Sequence, residues 1–102
     1  MMTVWFVSRH VGAVEWMKAV GRKVDFFVPH LDIDEVQEGD VVIGTLPIYL
    51  AAEVCGKGAE FYFLQLPQKM HLRGSEYTAE EMVRMGACLR RFSVSVVKED
   101  GL

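Results

Sequence analysis

The fold is decided first by residues 3–10, which read Thr3-Val4-Trp5-Phe6-Val7-Ser8-Arg9-His10. The first five side chains are β-branched or aromatic, a composition that predicts a buried strand. Three polar residues follow, and apolar residues then recur at helical spacing at Val14, Met17 and Val20. A buried strand, a polar turn and an amphipathic helix in that order predict the first unit of an α/β fold.

The same alternation continues along the chain. Further strands are predicted at residues 24–28, 41–43, 59–66 and 92–97, and helices at residues 11–20, 47–55 and 78–89, with a single helical turn at 31–36. Ser8 and Thr45 are predicted to cap helices, and Thr78 with Glu81 forms a capping box. The order predicts one Rossmann-like, three-layer domain over residues 1–102, with helices on both faces of a mostly parallel sheet of about five strands.

Composition limits the function classes. The 102 residues are 51% hydrophobic, and 11 basic against 14 acidic residues leave a net charge of −3. Proteins that bind bulk DNA or RNA need a broad basic surface, which this balance argues against, whereas a small anionic ligand stays open. No apolar run reaches the length of about eighteen residues that predicts a membrane helix. Only two cysteines and no signal-peptide pattern at the N-terminus predict a cytoplasmic protein.

Candidate site residues follow from the predicted topology. In open α/β sheets, ligands bind beyond the carboxyl ends of the strands, where the strand order switches direction. The positions that directly follow the first three strands are Ser8, Arg9, His10, His30, Gly44, Thr45, Leu46 and Pro47. A polar loop at residues 67–77, which contains Arg73, follows the fourth strand and is either a lid or a plain surface loop.

These residue types suit a phosphate ligand. Arg9 could bind phosphate through two parallel hydrogen bonds, and amides at a helix N-terminus also bind anions. Histidine exchanges protons near neutral pH, so His10 or His30 could move a proton. Gly44 would let the backbone approach closely. The structural alternative, in which Ser8 only caps a helix while Arg9 and His10 face solvent, stays open.

Other chemistries have weaker support. The three histidines and two cysteines lack the spacing of metal ligands, so neither a metal nor a cofactor is expected. Residues 44–47, Gly-Thr-Leu-Pro, match neither a P-loop nor a dinucleotide-binding motif. Histidine phosphatases carry Arg-His-Gly after their first strand, but Val11 replaces that glycine here and no second Arg-His pair exists.

Four segments in order resemble a small CRISPR-associated family called Csx-sixteen: Trp-Phe-Val-Ser-Arg-His at 5–10, Val-Pro-His-Leu-Asp at 28–32, Gly-Thr-Leu-Pro at 44–47 and Ala-Ala-Glu-Val-Cys at 51–55. The resemblance covers nearly the whole chain. It implies a homodimeric domain similar to the CARF sensor domains of type III CRISPR systems. It also implies a metal-independent ring nuclease that linearises cyclic oligoadenylate, chiefly cyclic tetra-adenylate, and so ends antiviral signalling.

Position, chemistry and the resemblance together suggest roles for individual residues. In such a reaction a ribose 2′-hydroxyl attacks the adjacent phosphorus, and the protein holds the geometry and stabilises charge. We expect Arg9 at the scissile phosphate, His10 as general acid or base, and Ser8 and Thr45 orienting the ribose-phosphate. His30 would be a second proton-transfer group or an adenine contact, and Gly44, Leu46, Pro47 and Arg73 would line the substrate site.

Two other functions are compatible with the same residues. One is a sensor or sponge that binds cyclic oligoadenylate without cutting it. The other is a small phosphatase or phosphodiesterase that acts on linear phosphates. Sequence does not separate them, because all three need a similar anion-binding pocket.

Overall fold

The computed structural model describes residues 2–66 and 77–98. In chain order, the elements are β1 (Val4–Val7), α1 (Val11–Val20), β2 (Phe26–Val28), a 3₁₀ turn (Ile33–Glu35), β3 (Val41–Gly44), α2 (Ile48–Gly56), β4 (Glu60–Gln65), α3 (Ala79–Arg84) and β5 (Cys88–Phe92). Arg73 and most of the 67–77 loop lie outside the described residues.

The five strands form one sheet in the order β2-β1-β3-β4-β5. The first four are parallel, and Val7 at the end of β1 pairs with Gly44 at the end of β3. β5 runs antiparallel to β4. The prediction of a mostly parallel sheet is therefore confirmed. Because the chain leaves β1 toward one edge and β3 toward the other, the switch point lies between the carboxyl ends of β1 and β3.

Helices cover both faces, as the strand-helix alternation predicts. On one face, Trp16 and Met17 of α1 and Met82 of α3 pack with Phe6 of β1 in one buried cluster. On the other face, Ala51 and Val54 of α2 pack with Trp5 of β1 in a second cluster. Side chains alternate between the faces of a strand, so neighbours Trp5 and Phe6 serve opposite layers. β1 is thus buried along its whole length.

A buried carboxylate organises the amino end of the sheet. Asp40 is 1% exposed, and its carboxylate accepts hydrogen bonds from the amides of Gln37 at 2.9 Å and Thr3 at 3.1 Å and from the indole of Trp5 at 3.3 Å. Burial alone would raise the pKa of Asp40, but these hydrogen bonds hold it below the ordinary value of 3.8. Asp40 therefore links the start of β1 to the turn before β3.

Both predicted helix caps at the carboxyl edge are wrong. The Ser8 hydroxyl accepts a hydrogen bond from the His10 amide at 3.1 Å, and this bond closes a tight turn before α1. The N-cap residue of α1 is therefore His10. Thr45 lies two residues before the N-cap of α2, which is Pro47. The fixed ring of Pro47 holds an extended entry to the helix. Gly21 ends α1 in a left-handed conformation directly after the predicted last residue, Val20, and Thr78 caps α3 in the predicted capping box.

The last helix ends earlier than predicted, and the last strand lies earlier in the sequence. Gly86 has φ 80°, and the amide of Ala87 bonds back to the carbonyl of Met82, an arrangement that ends a helix. α3 therefore stops at Arg84, and Cys88, predicted in a helix, begins β5. Pairing runs from Gln65 with Cys88 to Phe61 with Phe92. Residues 93–97, predicted as strand, have no regular structure.

Candidate functional site

An open cleft of about 390 Å³ lies at the carboxyl ends of β1, β2 and β3. Its lining includes seven of the nine site residues selected from the sequence: Ser8, Arg9, His10, His30, Thr45, Leu46 and Pro47. Gly44 is the last residue of β3 but does not line the cleft, and Arg73 lies outside the described residues. Three segments that are distant in sequence thus meet at the switch point.

The turn after β1 brings Arg9 and His10 to this cleft. The Ser8 amide donates to the carbonyl of Val28 at 2.9 Å, which joins the end of β1 to the end of β2. The hydrogen bond from the His10 amide to the Ser8 hydroxyl then closes the turn. Arg9 and His10 are exposed, so their side chains can reach a ligand in the cleft. His30 comes from the segment after β2 and is also exposed.

Gly44 sets the spacing between β1 and β3 at the same edge. A Cβ at Gly44 would lie 2.6 Å from the carbonyl oxygen of Val7, so a larger residue would push the two strand ends apart. The close backbone approach expected at this glycine is therefore made to a neighbouring strand. It brings Thr45 beside Ser8, and both line the cleft.

Two helices begin at the cleft and give it a local positive character. α1 starts at Val11 and α2 at Ile48, and neither has an acidic residue in its first turn. The first amides of a helix point outward along its axis, and the helix dipole adds partial positive charge there. With the Arg9 guanidinium, the cleft can hold an anion although the chain carries a net charge of −3.

A second cleft of about 240 Å³ shares a wall with the first. Ser8, His10 and Thr45 line both. On the α1 and α3 side of the sheet, the lining of the second cleft becomes apolar, with Ala13, Leu64, Leu66, Tyr77 and Met82. We call these the phosphate cleft and the apolar cleft.

Sequence reasoning missed the two tyrosines at these clefts. Tyr49 lines the phosphate cleft and is 68% exposed, and Tyr77 lines the apolar cleft and is half-buried. The signal for Tyr49 was its place in the first turn of the helix that follows Gly-Thr-Leu-Pro. Tyr77 carries no such local signal, because only the packing of α3 against α1 brings it to the site.

Residues 2–66 and 77–98 contain no group of three or more His, Cys, Asp or Glu side chains that could hold a metal ion. Cys55 and Cys88 are both half-buried and do not form a disulfide bond with each other. The Cys55 sulfur accepts a hydrogen bond from the Val94 amide at 3.4 Å, and this bond connects the segment after β5 to α2. Among the described residues, no helix has the length and apolar character needed to cross a bilayer.

Comparison with models of protein families identifies a family for this chain. Residues 5–95 match a family model described as "Putative CRISPR-associated protein (Cas_VVA1548)". The matched range contains both clefts' described lining residues. Neither the curated proteins nor the solved structures give a significant match to the chain.

Proposed function

Since the chain belongs to the Cas_VVA1548 family of CRISPR-associated proteins, we propose that it is a ring nuclease of type III CRISPR defence, of the Csx-sixteen kind and with a CARF-like fold. Its substrate would be cyclic oligoadenylate, chiefly cyclic tetra-adenylate. Family membership supports the CRISPR setting alone. The chemistry of the phosphate cleft supports the activity.

One observation carries the proposal: an arginine, two histidines and two helix N-termini meet at the switch point of the sheet. Each group suits a phosphodiester. Arg9 and the helix amides would stabilise charge on the phosphoryl oxygens. His10 or His30 would take a proton from the attacking 2′-hydroxyl or give one to the leaving 5′-oxygen.

The proposed reaction balances without water or metal. The ribose 2′-oxygen forms a bond to the adjacent phosphorus while the bond from phosphorus to the 5′-oxygen breaks. The 2′-hydroxyl proton is transferred through a histidine to the leaving oxygen. The product is a linear oligoadenylate with a 2′,3′-cyclic phosphate at one end, and Ser8 and Thr45 would orient the ribose for in-line attack.

A homodimer would complete the site. Three apolar side chains in the first turns of the two helices at the cleft are strongly exposed: Val11 at 68%, Ile48 at 76% and Tyr49 at 68%. Exposed apolar side chains around a polar cleft are typical of an interface. A second copy related by a two-fold axis would cover them and bring two phosphate clefts to one symmetric ring. Sedimentation velocity tests this part, and a monomer both with and without the ring would contradict it.

The function is tested by incubating the purified chain with cyclic tetra-adenylate and separating the products by chromatography. We expect conversion of the ring to linear products. An intact ring that co-elutes with the protein would instead identify a sensor or sponge. An intact ring together with hydrolysis of generic linear phosphoesters would identify a small phosphodiesterase or phosphatase.

A further inference from the structure

The apolar cleft has no task in the proposed bond cleavage, yet it opens directly onto the phosphate cleft. The two share Ser8, His10 and Thr45 and extend to opposite faces of the sheet edge. We propose that the apolar cleft is a base subsite that holds one adenine ring of the ligand, with Tyr77 as its main specificity-determining residue. This inference rests on the proposed function for the identity of the ligand.

The walls of the cleft suit the faces of a flat heterocycle. Leu64 is 7% exposed and Met82 is 3% exposed, so both present fixed surfaces of the core to the cleft. Leu66 and Tyr77 are half-buried and pack against the same core cluster. A purine gains from contact with apolar and aromatic side chains because its two faces are poorly hydrated.

The shared wall suits the rest of a nucleotide. Ser8 and Thr45 are hydroxyl residues, and His10 adds ring nitrogens at the same place. In a nucleotide, the ribose joins an apolar base to a charged phosphate. The two clefts and the polar wall between them follow the same order: the apolar cleft would hold the base, the polar wall the ribose, and the cationic cleft the phosphate. A lipid chain or an apolar peptide would have no use for the cationic side.

The size of the cleft favours a single base. About 240 Å³ is below the usual range for whole-ligand pockets, which begins at about 300 Å³. One ring system with part of its ribose is therefore the largest unit expected there. The remaining nucleotides of a cyclic ligand would lie outside this cleft.

The position of Tyr77 is set by an unusual backbone contact. A Cβ at Gly12 would lie 1.7 Å from the Tyr77 carbonyl oxygen, so the first turn of α1 fixes the residue before the Thr78 N-cap of α3. His10 lies two residues before Gly12 and lines the apolar cleft together with Tyr77. The contact between Gly12 and the Tyr77 backbone therefore fixes the positions of Tyr77 and His10 relative to each other.

Methionine methyl groups offer a direct test by NMR. In the protein labelled at its methionine methyls, AMP should shift the Met82 signal, and ribose 5-phosphate at equal concentration should not. Met85 is 1% exposed and lines neither cleft, so its signal should stay in place. Met2 lines a separate cleft at the amino end of the sheet, and a shift at Met2 instead of Met82 would overturn the proposal. So would equal shifts from both ligands, or none at Met82.

A pair of tyrosine variants provides the second test. Loss of one aromatic stacking partner should weaken AMP binding by about 5- to 150-fold, so Tyr77→Ala should do this while leaving ribose 5-phosphate binding unchanged. Tyr62→Ala is the matched control, because Tyr62 is also half-buried but lines the amino-end cleft. Equal loss of both ligands in Tyr77→Ala would reveal a merely structural role and overturn the assignment.

The outcomes also separate this inference from the ring nuclease proposal. Ring cleavage with no Met82 shift on cyclic tetra-adenylate would leave the enzyme assignment standing and remove the base subsite. A Met82 shift with AMP but no ring cleavage would keep the base subsite and remove the nuclease. In Tyr77→Ala, the Met82 methyl signal still reports ligand binding. The methyl signals of Met17 and Met85, which are fully buried, report whether the variant is folded, because misfolding would shift both of them.

Discussion

Gly12 in the first turn of α1 lies against the backbone of Tyr77 so closely that a Cβ on it would be 1.7 Å from the Tyr77 carbonyl oxygen. No side chain fits there unless residues 77 and 78 move, because the obstructing atoms belong to the main chain. This contact joins the turn that carries His10 to the segment that enters α3. It therefore bears on both stability and the shape of the apolar cleft.

Gly12→Ala should destabilise the protein by about 2 kcal/mol, because it overpacks a fixed backbone contact. Gly56→Ala is the matched control. Gly56 also lies in a helix, and nothing is within 4 Å of an added Cβ there, so roughly 0.5 kcal/mol of stabilisation is expected. Urea denaturation followed by circular dichroism measures both. Equal stability of the two variants would show that the Gly12–Tyr77 contact is looser than described.

Asp40→Asn should lower the free energy of unfolding by about 2 kcal/mol at neutral pH. The amide that replaces one carboxylate oxygen cannot accept from donors such as the Gln37 amide or the Trp5 indole. Asp34→Asn, at an exposed carboxylate in the 3₁₀ turn, should change little by comparison.

The Asp40 effect should depend on pH in one direction. Hydrogen bonds hold the folded-state pKa of Asp40 below 3.8, so its contribution to stability is present above that value and is lost as pH falls through the folded-state pKa. The difference between wild type and Asp40→Asn should therefore shrink in acid. A difference that stays constant as pH falls from neutral to well below 3.8 would contradict this role.

Arg9→Ala should weaken binding of cyclic tetra-adenylate by about 10- to 100-fold and slow its cleavage, because a charge-assisted hydrogen bond is worth about 1.5–3 kcal/mol. Arg22→Ala removes the same charge from an exposed arginine at the opposite end of the sheet. It separates local phosphate contact from a change in net charge. Titration calorimetry and single-turnover rates check the pair, and similar losses in both variants would argue against a phosphate contact at Arg9.

His10→Ala should slow single-turnover cleavage by about 10²- to 10⁴-fold with little change in affinity, if His10 moves a proton in the transition state. The backbone hydrogen bond from His10 to Ser8 does not need the imidazole, so the turn should persist. His30→Ala serves as the comparison within the same cleft. A wild-type rate in His10→Ala with a slow His30→Ala would move the proton-transfer role to His30.

Much of the fold could be predicted because the strands are short apolar runs with polar or glycine boundaries. β1 and β3 are buried along their full lengths, so their sequences show the pattern without ambiguity. The same feature located the phosphate cleft, since Ser8 to His10 and Thr45 to Pro47 directly follow these strands. Position after a buried strand was therefore the informative signal.

Other features depend on contacts that a local pattern does not contain. Asp40 follows Gly39 and reads as a turn residue, but its hydrogen bonds to Thr3 and Trp5 span 37 and 35 positions. Tyr77 reaches the apolar cleft only through the packing of α3 on α1. The end of α3 was misplaced for a local reason, because the left-handed Gly86 outweighed the apolar spacing that predicted a helix to Leu89.

Cleavage by a ribose 2′-hydroxyl in the phosphate cleft, without a metal, can be recognised from the first product formed in ¹⁸O-labelled water with excess EDTA. Attack by the 2′-hydroxyl is a transesterification, so the linear product should be an isomer of cyclic tetra-adenylate. It should contain no ¹⁸O and form at the same rate with or without the chelator. Incorporation of ¹⁸O into that first product would show attack by water, and loss of activity in EDTA with recovery on adding Mn²⁺ would show a metal-dependent reaction; either result would rule out this mechanism.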